Sequence, residues 1–271
     1  MPLAKIHDAE IHYDIKGEGE PVLLVAGLGG AASYWNPNLA AFAERYQVIL
    51  HDHRGTGGST RSEMTYSVEL MADDLLRLMD VLKIEKAHLV GHSTGGAIGQ
   101  VIAAIAPERI ASLVLYGSWA VHDNLMDMNM QLRRRIAMAM GEAEYHRTTP
   151  VFLYPPYYIR DNKEQLERDI AASTANTSSR TILDARAAGI LAFDGLQYHE
   201  RITCPTMAIV AEDDILTPPY ASDIMVERIK GASLIKVPKG GHALSRSEPQ
   251  LFNDAVLGFL AKHPIAQEVA A

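Results

Sequence analysis

The rhythm of apolar and polar positions changes several times along this chain, and each change predicts an element. Residues 3–15 alternate, with Ile6, Ala9, Ile11, Tyr13 and Ile15 on the apolar beat, which predicts two antiparallel strands. Gly17-Glu18-Gly19-Glu20-Pro21 breaks that beat, and Val22–Ala26 is then continuously apolar, as a strand covered on both faces must be. Similar buried-strand runs occur at 46–51, 87–92, 110–117, 206–211 and 233–237, bringing the strands to eight. Between them lie helical segments at Tyr34–Arg45, at Val68–Leu82, after residue 93 up to Pro107, at Tyr220–Ile229 and at Pro249–Leu260. Ile265–Ala271 reads as a frayed end. Strands alternating with helices predict an α/β fold whose mostly parallel sheet is covered on both faces.

From Trp119 to Glu200 this alternation stops. The segment carries Met126, Met128, Met130, Met138 and Met140, then Phe152-Leu153-Tyr154-Pro155-Pro156-Tyr157-Tyr158, among helical patterns. It reads as a helical cap at 119–200 inserted into a core made of 1–118 and 201–271. The methionines either pack that cap or line a pocket under it, where a flexible thioether adapts to irregular apolar ligands.

Composition narrows the class. A chain of 271 residues, 48% hydrophobic and 21% charged, is long enough for one α/β domain with a real core. A net charge of −8 offers nothing to neutralise phosphates, so no nucleic-acid partner is expected. The only cysteine, Cys204, excludes an internal disulfide and reads as a small buried thiol. No apolar h-region follows Met1 and no run reaches membrane-spanning length, so we expect no secretory signal and no membrane association. The default is a cytoplasmic enzyme, monomer or homodimer, acting on a small molecule.

The chemistry starts at Gly91-His92-Ser93-Thr94-Gly95, where a buried strand turns into a small-residue helix. Side chains at Gly91 or Gly95 would collide in so tight a turn, and the turn lifts Ser93 to its apex. There the hydroxyl lies beside a helix N-terminus whose free N–H groups can stabilise an oxyanion. A serine nucleophile needs a base, and the base needs an orienting partner. His242 follows Gly240-Gly241 just after the 233–237 run, and Glu212-Asp213-Asp214 follows the 206–211 run. In a parallel sheet these loops open at one edge, so Ser93, a carboxylate and His242 can converge. His-x-Glu-x-x-His and similar ligand spacings do not occur, so no metal and no cofactor are expected. Arg54 reads as a structural ion-pair partner beneath its loop, with recognition of a substrate carboxylate as the alternative, and Arg133-Arg134-Arg135 as a solvated helix face.

Together with the glycine loop Gly27-Leu28-Gly29-Gly30 and Asp52-His53-Arg54-Gly55-Thr56-Gly57-Gly58-Ser59, these motifs resemble the α/β-hydrolase superfamily along essentially the whole chain. Within it, Ala26-Gly27-Leu28-Gly29-Gly30, Ser33-Tyr34-Trp35, Phe152-Leu153-Tyr154-Pro155, Ile202-Thr203-Cys204-Pro205 and Gly240-Gly241-His242-Ala243 are similar to the aminoacrylate hydrolase group of pyrimidine utilisation (protein D). That group lies near the 3-oxoadipate enol-lactonases and the hydrolases of ring-cleavage products. The resemblance implies an α/β-hydrolase fold with Ser93 as nucleophile and His242 as base. It gives Asp214 as acid, with Ala211 in place of the usual glycine of that motif. Asp213 and Asp123 remain alternatives. It further implies an oxyanion hole from the Leu28 and Thr94 N–H groups, with Ala26 where a histidine is common. Leu28, Trp35, Trp119, Met126, Met130, Tyr154 and Tyr158 are the candidate pocket residues. The expected reaction is serine hydrolysis of a small ester, lactone, amide or carbamate. C–C bond hydrolysis, lyase or perhydrolase chemistry on the same three residues, or a slow-turnover receptor, are the alternatives.

Overall fold

The computed structural model describes residues 2–265, so the end read at 265–271 lies, Ile265 apart, outside the described residues. The strands are β1 (Leu3–Ile6), β2 (Ala9–Lys16), β3 (Glu20–Val25), β4 (Tyr46–His51), β5 (Ala87–His92), β6 (Ile110–Tyr116), β7 (Thr206–Ala211) and β8 (Ser233–Val237). They form one eight-stranded sheet in the order β1-β2-β4-β3-β5-β6-β7-β8. The β1–β2 and β2–β4 pairs are antiparallel, and the rest are parallel.

Helices α1 (Asn36–Ala43), α2 (Val68–Val81) and α3 (Thr94–Ile105) connect the first strands. Between β6 and β7 the sheet is interrupted by α4 (Asn124–Met140), α5 (Glu142–Leu153), α6 (Pro156–Asp161), α7 (Lys163–Ala175), α8 (Arg180–Leu191) and α9 (Leu196–His199). These helices are the inserted cap. The chain finishes with α10 (Pro219–Arg228), α11 (Leu244–Ser247) and α12 (Pro249–Leu260). Among the described residues no helix is long and apolar enough to cross a membrane.

The continuously apolar strands have a simple cause. Successive side chains point to opposite faces, and both faces are buried. Leu23, Val25, Leu89, Leu113 and Leu115 join Met71 and Leu75 of α2 and Ile98 of α3 on one side. Val22, Leu24, Val90, Val114 and Tyr116 join Phe42 of α1 and Phe252 and Val256 of α12 on the other.

Topology then places the site. β4 pairs with one side of β3 and β5 with the other, so the chain leaves the sheet centre in opposite directions. That reversal opens a crevice at the carboxyl ends of β3 and β5, where open α/β sheets bind ligands. Leu28 follows β3 and Ser93 follows β5 at this crevice.

Two elements depart from the sequence reading. The helix read from Tyr34 starts as a 3₁₀ turn, Ala32–Trp35, and becomes α-helical only at Asn36. Pro37 sits in the first turn, where a missing N–H costs nothing. The short helix α11 follows directly from the His242 loop and was not anticipated.

Candidate active site

Backbone sterics build the turn at Ser93. A Cβ at Gly91 would run into the Gly95 carbonyl, and one at Gly95 into the Val25 carbonyl oxygen, so strand, turn and helix touch backbone to backbone. Ser93 itself has φ 52° and ψ −115°, a conformation costing a non-glycine residue about 1–3 kcal/mol. The Ser93 N–H donates to Tyr116 O at 2.8 Å, and Ser118 Oγ donates to Ser93 O at 3.0 Å. The strained residue is therefore tied on both sides to β6 and its following loop. Neither the Leu28 nor the Thr94 N–H donates to a protein acceptor among the described residues.

His242 and Asp214 meet as buried side chains, with His242 Nδ1 2.8 Å from Asp214 Oδ2. A carboxylate only accepts, so Nδ1 carries the proton and Nε2 is left with a free lone pair. Asp214 is fixed in turn. Its Oδ1 accepts the Leu216 N–H at 2.8 Å and the Thr217 N–H at 3.0 Å. Thr217 Oγ1 lies 3.0 Å from Asp214 Oδ2 and 3.2 Å from His242 Nδ1, and donates to Gly117 O at 2.8 Å. Gly117, at φ +50°, packs against both members of the pair. No hydrogen bond joins Ser93 Oγ to His242 among the described residues; such contacts commonly tighten only with substrate bound.

The two alternative carboxylates are engaged elsewhere. Asp213 Oδ1 accepts the Gly241 N–H at 2.7 Å, tethering the His242 loop. Asp123 caps α4 through the Met126 N–H at 2.8 Å and accepts from the Tyr220 hydroxyl.

Behind His242 stands a second imidazole. His92 Nε2 lies 2.9 Å from His242 O, and a carbonyl only accepts, so this nitrogen carries the proton. Burial holds His92 well below its usual pKa, keeping it neutral. The Tyr116 hydroxyl donates to the same carbonyl at 2.9 Å. Tyr34 stacks on His92 at 4.5 Å and shares hydrogen bonds with Tyr116 and Ser245. Burial pushes the Tyr34 hydroxyl up to about 12, so it too stays protonated.

Ser93, Thr94, Leu28 and His242 line a cavity of about 500 Å³ between the sheet edge and the inserted helices. Trp119, Met126 and Met130 also line it. Three other pocket expectations are corrected. Trp35 is fully buried on the far side of its turn, packed on Tyr116 and Phe252. Its neighbour Tyr34 faces the cavity instead. Tyr154 and Tyr158 stack on each other at 4.6 Å. They form a small cluster with Leu166 and Ala243; Tyr154 borders a separate cavity of about 440 Å³ that also reaches His242.

The methionines divide. Met126 and Met130 are buried, whereas Met128, Met138 and Met140 are exposed.

The basic run is also corrected, because Arg133 is buried and lines the cavity. Its Nη2 donates to the Tyr145 hydroxyl at 2.9 Å. Met126, Met130, Arg133 and Ala137 share the buried face of α4, a spacing visible in the sequence. Arg54 binds Asp74 through Nε at 2.8 Å and Nη2 at 2.7 Å, which is the ion pair anticipated for it. Cys204 is half-buried, and burial pushes its thiol up to about 11.

Comparison with known proteins settles the lineage. The alpha/beta hydrolase fold profile matches residues 20–249. The chain belongs to the α/β hydrolase fold family. It is a hydrolase of that fold, 41% identical over 259 residues to "Putative carbamate hydrolase RutD" of Azorhizobium caulinodans, covering 96% of this chain and 98% of the relative. Among solved structures, the enol-lactonase from Burkholderia xenovorans LB400 superposes with a TM-score of 0.89 at 25% identity, over 96% of this α/β hydrolase and 100% of that chain. A hydrolase from Pseudomonas aeruginosa gives 0.86 at 27% identity, over 95% and 97% of the two chains.

Proposed function

We propose that Ser93, His242 and Asp214 act as nucleophile, base and orienting acid in the hydrolysis of a small ester, lactone, amide or carbamate. The observation that carries this reading is the His242–Asp214 contact at 2.8 Å, on the wall of the cavity that also holds the strained Ser93. Held by Asp214, the imidazole presents an unprotonated Nε2. In the first step Ser93 Oγ bonds to the substrate carbonyl carbon while its proton passes to Nε2. The carbonyl electron pair moves onto oxygen, where the Leu28 and Thr94 N–H groups receive the negative charge. Collapse of this adduct breaks the bond to the leaving group, which takes the proton from Nε2. Water then adds to the acyl carbon, giving its proton to Nε2, and the second adduct releases the acid and restores the Ser93 hydroxyl.

A cavity of about 500 Å³ suits a small molecule, and Trp119, Met126 and Met130 give it an apolar wall. The substrate class draws support from relatives whose names specify a carbamate hydrolase and an enol-lactonase. A fluorophosphonate probe is expected to label the wild type on Ser93 and to leave Ser93→Ala unlabelled. A panel of small esters, lactones, carbamates and enamine-type acids then ranks substrates by kcat/KM. No labelling of the wild type, together with no turnover across the panel, would overturn the reading.

A further inference from the structure

The loop after β3 runs Ala26-Gly27-Leu28-Gly29-Gly30 and contains no polar side chain with which to brace itself. Its backbone must be held from outside, and the structure shows by what. Gly27 O accepts the Gly30 N–H at 2.9 Å, and Gly30 O accepts the His53 N–H at 2.8 Å. Thr56 Oγ1 lies 3.1 Å from Gly30 O and 2.8 Å from His53 O. The carbonyl of Leu28 is taken by Arg186 Nη2 at 3.0 Å.

Arg186 belongs to α8, so this contact reaches from the inserted helices into the core. Its Nη1 donates to the carbonyl of Arg54, on the neighbouring loop after β4. The side chain is buried, with the Tyr66 ring beneath it at 5.7 Å, Met71 Sδ at 3.7 Å and His53 Nδ1 at 3.3 Å. It has no carboxylate partner among the described residues, and its Nε makes no hydrogen bond. Burial pushes the guanidinium down to about 10, which leaves it charged at neutral pH. A buried cation compensated mainly by carbonyl dipoles is an expensive way to fasten a helix. It does suit a place where negative charge appears during a reaction.

We propose that Arg186 is a positioning residue for hydrolysis, bracing the Leu28–Gly29 peptide so that the Leu28 N–H stays aimed at the oxyanion. The proposal rests on the serine-hydrolase reading given above. Two adjoining peptides define the direction of that N–H. The Gly27–Leu28 peptide is held through Gly27 O by Gly30, and the Leu28–Gly29 peptide through Leu28 O by Arg186. Releasing the second frees Leu28 to rotate. The guanidinium also sets a fixed positive charge behind the loop, in a water-poor site where its field is weakly screened. Because Arg186 comes from α8, the oxyanion site is complete only with the inserted helices seated on the core. Close packing supports that seating, since a Cβ at Gly189 of α8 would strike the Tyr66 carbonyl.

The test uses the full chain with a substrate that the wild type turns over. Arg186→Met keeps the bulk and removes the charge and donors. Its kcat is expected to fall by about 10–10²-fold, less than the roughly 10²–10³-fold seen for losing an oxyanion donor outright because the Leu28 N–H is misaimed and not removed, with KM changed less than about twofold. Affinity for an alkyl trifluoromethyl ketone, whose serine adduct carries the oxyanion, is expected to fall in parallel. Affinity for the unreactive product acid is expected to hold. Arg186→Ala is expected to recover part of its kcat on addition of millimolar guanidinium. A residue that merely fastens α8 would lower thermal stability without this parallel loss. Arg186→Met with wild-type kcat and wild-type ketone affinity would overturn the proposal while leaving Ser93 chemistry intact. Failure of the wild type to react with probe or substrate would remove both. Should the Met and Ala variants not fold, Arg186→Lys carries the test, since one ammonium cannot reach both carbonyls. It is expected to lose kcat and ketone affinity together, by several-fold, and wild-type values for both would refute the brace.

Discussion

At the residue scale, the proposed reaction depends on which nitrogen of His242 carries the proton. Asp214 sets this, and it is itself fixed by two backbone N–H groups and Thr217. Asp214→Asn is therefore expected to keep the fold but disturb the imidazole tautomer, lowering kcat by about 10³–10⁴-fold. Asp213→Asn, at a carboxylate whose one hydrogen bond among the described residues is from the Gly241 N–H, is expected to lose less than about tenfold. Steady-state kinetics of the two variants decides between the carboxylates, and an inverted order would reject Asp214 as the acid. Ser93, His242 and the acidic cluster were legible because each follows a strand of the parallel part of the sheet, so topology brings them to one edge; the strand before His242, read as buried, is an edge strand with only Val237 buried. Arg133 was misread because a run of three arginines looks solvated, although its spacing from Met126 and Met130 places it on their buried face. Trp35 was misread for a different reason. A 3₁₀ turn advances side chains faster than an α-helix, and sequence alone did not show that Tyr34 would face the cavity and Trp35 the core.

At the element scale, the turn from β5 into α3 is specified by what cannot fit there. A methyl group at Gly95 meets the Val25 carbonyl of a neighbouring strand, and neither backbone can yield. Gly95→Ala is expected to cost about 3 kcal/mol or more, at the upper end of overpacking effects. Gly258 provides the control, since it is exposed in α12 with nothing within 4 Å of an added Cβ. Gly258→Ala is expected to stabilise by about 0.5–1 kcal/mol through helix propensity and reduced chain entropy. Chemical denaturation of both variants tests this, and equal effects would show that backbone contact does not govern the turn. The central strands were readable because burial on both faces leaves continuous apolar runs, and β1 and β2 because their apolar positions alternate; β8 was read the same way although it is an edge strand with only Val237 buried. Helices α4–α9 were readable only as a block. Pro150 lies inside α5, α6 and α9 are short, and exposed methionines blur the amphipathic pattern, so tertiary contacts rather than local spacing fix their ends.

At the scale of the whole molecule, buried imidazoles link stability to pH. Burial lowers His51 and His199 from an ordinary 6.5 to about 4, and holds His53 and His92 well below 6.5. Unfolded, all four take up protons near 6.5; folded, they resist. Below that pH the unfolded chain binds more protons, so stability is full above about 6.5 and is lost as pH falls toward 4 and beyond. Each group adds at most about 1.4 kcal/mol per pH unit to that slope. Urea midpoints are expected to fall steeply between pH 7 and 5, and a flat profile would show that these imidazoles are charged in the folded state. The molecule also joins two functions in space, with the sheet edge supplying Ser93, His242 and Asp214 and the inserted helices closing the cavity over them. The most direct test of this arrangement is to acid-quench the enzyme early in turnover of an activated acetyl ester and locate the acetyl group by peptide mass. One acetyl group on the peptide containing Ser93, absent from Ser93→Ala, is the expected result. Turnover with Ser93 unmodified and Ser93→Ala fully active would contradict the account.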